Sequence, residues 1–244
     1  MYFPLHCHTH FSLLDGLSKP EQIAERIKSL GLSGAAITDH GNISGSVSFV
    51  KAMRKKGLKP ILGCELYISK QCASVRNKEN SKLNHLVVLA KNIDGWRQLI
   101  KITSESNKDE NFYRKPRLSL EQLRKFCDGN LVAFSGHLGS DLAEVVFGEM
   151  ASDAYNAKTY EEAESLVDDN WLENTKSLAL KYQEIFGEGN FFIEIQLIDK
   201  DVTPAQMVVA KALRYVSKKT GIPKVATPDA HYTTSEDAED QRVL

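Results

Sequence analysis

Short apolar runs alternate with helical patterns along most of this 244-residue chain, and this alternation limits its fold more than any other feature. The segments between the runs repeat apolar residues at the spacing of one helix face. Such alternation is typical of βα units around a parallel sheet, and the chain is long enough for one α/β barrel or two small domains. The seven candidate strands are Phe3–Cys7, Ala35–Thr38, Pro60–Ile68, His85–Ala90, Leu131–Ser135, Phe191–Gln196 and Lys224–Thr227.

Helices are predicted in the segments between these strands. The last long helix starts with a proline near its first turn and stops at Gly221, which is a good pair of boundary signals. The predicted helices are Pro20–Ser29, Ser46–Lys56, Trp96–Ser106, Glu121–Phe126, Glu161–Phe186 and Pro204–Thr220, and the predicted loops are Ser69–Asn84 and Lys108–Arg117.

The C-terminal residues Glu236–Leu244 have the pattern of a helix that opens but has no stop signal. We therefore expect residues 1–235 to form one domain and residues 236–244 to lead into a following region that this sequence lacks. A frayed tail is the alternative interpretation of the same residues.

Charge, cysteine content and hydropathy exclude several classes of protein. The formal net charge is −1, whereas a domain that grips nucleic acid by itself is usually basic. The four cysteines form no CxxC pair, so they resemble reduced thiols rather than a disulfide framework. No apolar run approaches the roughly 20 residues needed to cross a bilayer, and the N-terminus lacks the features of a secretory signal. We expect a cytoplasmic protein with no membrane partner.

Six of the seven histidines lie at an end of a candidate strand. His6 and His8 close the first strand, and as residues i and i+2 they point to the same side of it. Ligands of barrels and open α/β sheets bind where the strands end, so we expect these imidazoles to converge. The six are His6, His8, His40, His85, His137 and His231, whereas His10 is interpreted as a rim or surface residue.

Three carboxylates, Asp15, Glu65 and Asp229, accompany the histidines. One H-x-H motif alone is more often part of a core, but the joint pattern favours a metal cluster. Imidazoles mixed with carboxylates suit zinc, manganese or iron, and the set exceeds the four ligands of one tetrahedral zinc. The sequence therefore predicts a site for two or three divalent ions. Asp39, next to His40, is better placed to orient a ligand than to bind metal.

These motifs resemble those of the polymerase and histidinol phosphatase (PHP) domain. More narrowly, they are similar to the PHP domain at the N-terminus of bacterial DNA polymerase III α subunits. The similarity covers nearly the whole chain and is weakest over Met150–Asn170. The segments that carry it are His6–His8, Ser12–Gly16, Thr38–Asn42, Lys59–Glu65, His85–Asn92, Lys115–Arg117, Ser135–Leu138 and Ala226–Tyr232.

The resemblance implies a distorted seven-stranded (β/α) barrel with a trinuclear metal site, in which magnesium is an option for one position. Glu65 would be the bridging carboxylate. Many polymerase α subunits carry cysteine at the position of His137, so this histidine would alter metal preference while keeping a competent ligand. The nine implied ligands are His6, His8, Asp15, His40, Glu65, His85, His137, Asp229 and His231.

The implied function is a metal-dependent phosphodiesterase, acting as a 3′–5′ exonuclease on the 3′ end of DNA during replication. Two alternatives remain open. One is a metal-stabilised structural domain that docks the remaining polymerase domains of its chain or a separate proofreading exonuclease subunit. The other is a free-standing phosphatase of the histidinol-phosphate type. We find no set of polymerase carboxylates outside the cluster, so polymerisation would belong to sequence that is absent here.

Several residues outside the cluster are weaker candidates for contacts with DNA. Arg114, Lys115 and Arg117 lie in a predicted loop and are candidates for contacts with the phosphate backbone. Tyr113 and Tyr232 are candidates for stacking on a base, although both are equally compatible with ordinary, partly buried aromatic residues.

Overall fold

The computed structural model describes residues 2–196 and 202–244, and a curled mixed sheet forms its centre. The sheet has the order β1-β2-β3-β7-β8-β9, with β6 beside β2, while β4 and β5 form a separate hairpin. The strands are β1 (Gly34–Ile37), β2 (Lys59–Ser69), β3 (Leu83–Ala90), β4 (Phe112–Tyr113), β5 (Lys115–Pro116), β6 (Leu118–Ser119), β7 (Leu131–Phe134), β8 (Phe191–Ile195) and β9 (Lys224–Ala226).

Strand β3 runs antiparallel to both of its neighbours, whereas the pairs β1–β2, β7–β8 and β8–β9 are parallel. A parallel neighbour usually needs a crossover helix, but the loop that joins β2 to β3 contains only a single 3₁₀ turn, Glu79–Ser81. The expected all-parallel arrangement is therefore wrong at this strand. The reversal brings His85, near the start of β3, opposite Tyr67, near the end of β2.

The N-terminal segment joins the two edges of the curled sheet. It forms one isolated bridge, from Cys7 to Ala230, and is not a regular strand, in contrast to the prediction for Phe3–Cys7. The amide of Thr38 at the β1 edge donates to the carbonyl of Cys7 at 2.9 Å, and the amide of His8 donates to the carbonyl of Ala230 beyond β9 at 2.8 Å. These hydrogen bonds close the sheet into a distorted α/β barrel, and they confirm the predicted fold class.

Helices cover the outside of the sheet. None of those in residues 2–196 and 202–244 is long and apolar enough to cross a membrane. The helices are α1 (Pro20–Ser29), α2 (Ser46–Lys55), α3 (Ile93–Ser106), α4 (Leu120–Arg124), α5 (Asp141–Phe147), α6 (Ala151–Asn156), α7 (Tyr160–Ser165), α8 (Trp171–Phe186), α9 (Pro204–Thr220) and α10 (Ala238–Gln241).

The single helix predicted over Glu161–Phe186 is wrong, because the chain breaks between α7 and α8. The amide of Asp168 donates to the carbonyl of Val146 in α5, and the carboxylate of Asp168 accepts from the amide of Asn170 at 2.8 Å. A short acidic side chain that bonds to nearby backbone competes with helical hydrogen bonds. Helix α8 then packs on the barrel, where Tyr182 stacks on Phe191 of β8 with ring centroids 5.1 Å apart.

Candidate metal centre

His6 and His8 project into the barrel from the segment that closes it. Both side chains are fully buried, and their ring centroids are 5.1 Å apart. Both imidazoles face Glu65 and Asp229, as the i, i+2 spacing predicts. They thus form the innermost part of a cluster that includes all nine of the predicted ligands.

Glu65, on β2, lies at the centre of this cluster with no exposed side-chain surface. Its Oε2 atom is 2.9 Å from Nδ1 of His40 and 3.3 Å from Nε2 of His8. Its Oε1 atom is 3.0 Å from Nδ1 of His85 and 3.7 Å from Nε2 of His137. The two oxygens of one carboxylate therefore face different histidines.

Asp229 follows β9 and faces the same histidines from the opposite end of the chain. Its Oδ1 atom is 3.2 Å from Nε2 of His6 and 3.3 Å from Nε2 of His8, and its Oδ2 atom is 3.3 Å from Nε2 of His137. Asp229 has a φ of 49°, a left-handed conformation that is uncommon for residues other than glycine. Such strained backbone tends to occur at functional sites.

Asp15 links His40 to the one remaining histidine, His231, at the outer side of the cluster. Its Oδ2 atom is 2.7 Å from Nε2 of His40 and 3.1 Å from Nε2 of His231. The turn that presents Asp15 requires the following Gly16, because a Cβ atom there would lie 2.2 Å from the carbonyl oxygen of Thr9. The Leu-Leu-Asp-Gly motif is thus explained by a close backbone approach next to the site.

Several buried atoms of the cluster have no hydrogen-bond partner within the described residues, although they lie close to one another. There are seven such atoms, namely Nε2 of His6 and His8, Nδ1 of His40 and His85, both carboxylate oxygens of Glu65 and Oδ1 of Asp229. Three overlapping groups have the geometry to hold a metal ion: His8–His40–His231, His6–His8–Glu65 and His40–Glu65–His85. Nitrogen and oxygen donors in this mixture suit zinc, manganese or iron, so the residues present fit a divalent metal.

The charges of the cluster hold its groups in ionised forms. Burial alone would lower the pKa of His40, but its hydrogen bond to Asp15 and its close charge interactions with Asp15 and Glu65 raise that pKa to about 9. Burial opposes ionisation of Glu65 as well, yet His6, His85 and the other imidazoles hold its pKa well below the usual range. Without metal, protonated imidazoles thus compensate the carboxylates, and a bound cation would take over that compensation.

Asp39 directly precedes His40 in the sequence and lies next to the cluster. It accepts hydrogen bonds from the amide and hydroxyl of Thr9, at 2.7 and 2.8 Å, and from the hydroxyl of Ser12 at 2.8 Å. Because the Ser12 hydroxyl donates its hydrogen bond to Asp39, it accepts a hydrogen bond from Nδ1 of His8, 3.1 Å away. These contacts connect Asp39 to His8 through Ser12, and the orienting role of Asp39 stays a prediction.

Glu194 is a residue of this site that sequence reasoning missed. Its Oε1 atom accepts a hydrogen bond from Nδ1 of His6 at 2.8 Å, and the hydroxyl of Thr227 donates to the same oxygen. Both His6 and Glu194 are fully buried. The available signal was a single charged residue inside the apolar run Phe191–Gln196, which carried no predicted ligand.

The predicted DNA contacts separate into two groups. Arg117 is fully buried, and its guanidinium donates to the carbonyl oxygens of Asn80 at 2.7 Å and Val75 at 3.0 Å. The prediction that Arg117 contacts DNA is therefore wrong, because backbone carbonyls already take its donors. Arg114 and Lys115 are exposed at the turn between β4 and β5.

Lys115 is the member of this loop that reaches the cluster. Its Nζ atom lies 3.1 Å from the hydroxyl of Tyr67, whose ring stacks on His40 with centroids 5.7 Å apart. His10, by contrast, is exposed and packs on Phe11, as expected of a residue outside the cluster.

Comparison with known families gives a match to the model of the PHP domain over residues 4–197. The chain is 35 % identical over 242 residues to DNA polymerase III subunit alpha of Helicobacter pylori strain J99, covering 98 % of this chain and 18 % of that protein. The subunit of Thermus aquaticus is also 35 % identical, over 246 residues, with 98 % of this chain and 18 % of that protein covered. The chain thus spans about a fifth of the length of the curated relatives that it matches.

Solved structures share the fold at low sequence identity. A candidate metal-dependent phosphoesterase from Bifidobacterium adolescentis has a TM-score of 0.52 and 16 % identity, and the match covers 95 % of this chain and 88 % of that one. A two-domain protein from Bacteroides vulgatus, described as containing a PHP-like metal-dependent phosphoesterase, has a TM-score of 0.52 and 15 % identity, covering 99 % and 55 % of the two chains. These likenesses agree with the distorted barrel.

Proposed function

Because this chain belongs to the PHP domain family, we propose that it is a metal-dependent phosphodiesterase that removes nucleotides from the 3′ end of DNA. The observation that carries the proposal is the set of seven buried, unpartnered donor atoms within the described residues of the cluster. Leaving such atoms unsatisfied costs free energy, and divalent cations relieve that cost.

The proposed ligands contribute to catalysis through the metals that they hold. Two or three divalent ions match their number, with zinc, manganese or iron at the imidazole-rich positions and magnesium as an option for one position. Glu65 is the proposed bridge, because its two oxygens face different histidines. The proposed ligands are His6, His8, Asp15, His40, Glu65, His85, His137, Asp229 and His231.

When bound, such ions would supply positive charge to the phosphate and lower the pKa of a coordinated water toward about 7. The chain itself holds and orients the ligands: Asp39 acts on His8 through Ser12, and Glu194 acts on His6. Lys115 provides an exposed ammonium group next to Tyr67, where it can contact a phosphate oxygen of the substrate.

The names of the relatives support DNA as the substrate, since they are α subunits of a DNA polymerase. Hydrolysis at the 3′ end is the reaction that would serve proofreading during replication. The proposed partners are accordingly the DNA 3′ end, the remaining domains of such a polymerase and a separate exonuclease subunit. The small net charge of −1 agrees with a domain that receives much of its grip on DNA from elsewhere.

A structural role is the second candidate, and the position of the cluster favours it. His8 belongs to the segment that closes the barrel, and its backbone amide donates a hydrogen bond to the carbonyl of Ala230. His231 is the next residue after Ala230. Metals bound by both histidines would fasten that closure and add folding free energy. In that case the domain binds metal and docks other domains without hydrolysing DNA.

The test combines elemental analysis of the purified chain with digestion of a 3′-labelled DNA primer and of histidinol phosphate. We expect at least two divalent ions per chain and release of nucleotides from the primer. Bound metal without any hydrolysis would support the structural role instead, and release of phosphate from histidinol phosphate alone would support the free-standing phosphatase.

Two variants make this test specific to the cluster. His8→Ala is expected to abolish hydrolysis and reduce the bound metal, whereas His10→Ala, an exposed histidine outside the cluster, is expected to retain both. Full hydrolysis by His8→Ala with a wild-type metal content would refute the assignment.

A further inference from the structure

We infer that the cleft beside the metal centre is a nucleobase subsite, in which Tyr232 stacks on the base of the terminal nucleotide. This inference rests on the proposed function and names the part of the substrate that the metal centre itself does not bind. The cleft has a volume of about 480 Å³, and its lining includes Asp15, Asp229, His231, Tyr232 and Gln241. A volume of this size is within the range of about 300–1,000 Å³ that is usual for ligand pockets.

The cleft combines two kinds of surface that a nucleotide needs. Asp15, Asp229 and His231 belong to the proposed ligand set and mark the position of the phosphate. Tyr232 directly follows His231 in the chain, and 39 % of its surface remains exposed. Because Tyr232 lines the same cleft as these three residues, we assign a base on its ring to the nucleotide whose phosphate lies at the cluster.

The segment that carries Tyr232 is held in place by the barrel. The carbonyl of His231 accepts from the amide of Leu17 at 2.9 Å, and Nδ1 of His231 donates to the carbonyl of Asp229 at 3.1 Å. Because these bonds fix the backbone immediately before Tyr232, less conformational entropy is lost when a base stacks on its ring.

Gln241 supplies a polar group at the same cleft. Its Nε2 atom donates to the carbonyl of Asp15 at 3.1 Å, which fastens helix α10 to the site. The carboxamide oxygen that remains can accept a hydrogen bond from a base edge or sugar hydroxyl. The cleft thus has an aromatic face for stacking and a polar group near it.

Another exposed tyrosine shows why exposure alone does not define the subsite. Tyr215, on α9, is 43 % exposed and packs near Trp171, and it borders a different hollow that contains none of the cluster residues. Tyr232 differs because it shares its cleft with Asp229 and His231. Tyr215 is therefore the matched control for a role in base recognition.

The experiment measures binding rather than hydrolysis, with the manganese-loaded chain and three probes: dTMP, 2-deoxyribose 5-phosphate and inorganic phosphate. Stacking of a base on an aromatic residue is worth enough to expect about tenfold tighter binding of dTMP than of deoxyribose 5-phosphate. Purine and pyrimidine monophosphates are expected to show similar gains, since stacking tolerates any base.

Variants then assign the gain to the tyrosine. Tyr232→Phe is expected to retain the tenfold difference, and Tyr215→Ala likewise, whereas Tyr232→Ala and Tyr232→Leu are expected to reduce it to about twofold or less. Affinity for inorganic phosphate should remain the same in all four variants, and this also shows that the metal centre is intact.

The outcomes separate this inference from the proposed function. If inorganic phosphate binds but dTMP has no advantage over deoxyribose 5-phosphate, or if Tyr232→Ala keeps that advantage, the subsite is refuted and the phosphodiesterase proposal stands. If none of the three probes binds to the metal-loaded chain, both proposals fail.

Discussion

The metal centre has a sealed inner half and an open outer half. The side chains of His6, Glu65 and Glu194 in the inner half have no exposed surface. In the outer half, 36 % of the Asp15 side chain and 21 % of the His231 side chain are exposed. Under the proposed function, the inner half would hold metal and the outer half would contact water and substrate.

The energetic consequence of this contrast follows from solvation. A buried charge is strongly destabilising when its partner is removed, whereas an exposed charge is screened by water. Equivalent amide substitutions in the two halves should therefore have different effects on folding, although both halves contribute to the proposed reaction.

The largest expected effect is that of Glu65→Gln, which removes the negative charge from the centre of the inner half. Five histidines face Glu65 within 3.7 Å, and breaking a buried charge pair costs about 3–5 kcal/mol of stability. We expect loss of bound metal, loss of hydrolysis and a lower melting temperature, measured by elemental analysis, primer digestion and thermal unfolding.

Asp15→Asn is the matched change in the outer half. It should lower hydrolysis strongly while lowering the melting temperature of the metal-free chain less than Glu65→Gln does, because Asp15 is partly exposed and contacts two histidines instead of five. Equal destabilisation by the two variants would eliminate the distinction between the halves.

The next effect concerns the residue that lies behind the inner half. Glu194→Gln removes a carboxylate that accepts a hydrogen bond from Nδ1 of His6. That hydrogen bond orients the ring so that Nε2 faces the cluster. Loss of such an orienting partner typically lowers metal affinity by about 10–100-fold. Competition with a chelator measures the affinity, and the visible spectrum of the cobalt-loaded chain should report altered coordination at His6.

Glu188→Gln, on the exposed turn before β8, is the control for a general effect of removing a carboxylate. It is expected to leave both the affinity and the spectrum unchanged. An unaltered spectrum in Glu194→Gln would mean that Glu194 does not orient His6 and contributes only to packing.

The effect of pH should have opposite signs in metal-free and metal-loaded protein. Asp15 and Glu65 raise the pKa of His40 to about 9, above its value in the unfolded chain. The stabilisation from protonated His40 is therefore complete below about pH 6.5 and is lost as the pH rises through about 9. The melting temperature of the metal-free chain should accordingly fall over this range.

Metal binding requires neutral imidazoles, so metal affinity should increase over the same range of pH. The stabilisation by added metal is then expected to grow from pH 6 to pH 9, and hydrolysis should decline as the pH falls below about 6. Thermal unfolding with and without metal at several pH values checks the sign. A gain in melting temperature that shrinks with rising pH would contradict proton-competitive binding by these histidines.

The convergence of the nine ligand candidates could be predicted because most of them lie near the ends of strands, and strand ends meet at one rim. The direction of β3 could not, since it depends on how the long loop after β2 returns to the sheet. Glu194 was missed because it is a single charged residue within an apolar run, and its contact with His6 joins residues that are far apart in the sequence. Arg117 was misassigned because loop sequence does not reveal which backbone carbonyls a guanidinium will meet.

The smallest expected effect tests whether the open half extends to the β4–β5 turn. Lys115 reaches Tyr67, which stacks on His40, whereas its exposed neighbour Arg114 packs over Tyr113 with its guanidinium carbon 5.5 Å from the ring centroid. A single exposed charge contact contributes about 0.2–1 kcal/mol, so Lys115→Gln should weaken DNA binding by about fivefold at most and reduce the slope of log K against log salt by about 1.

Arg114→Gln should change both quantities less, because its side chain does not reach the cluster. Titration of a labelled primer at several salt concentrations measures both effects, and an unchanged slope in Lys115→Gln would confine the substrate-facing half of the centre to the side of Asp15 and His231.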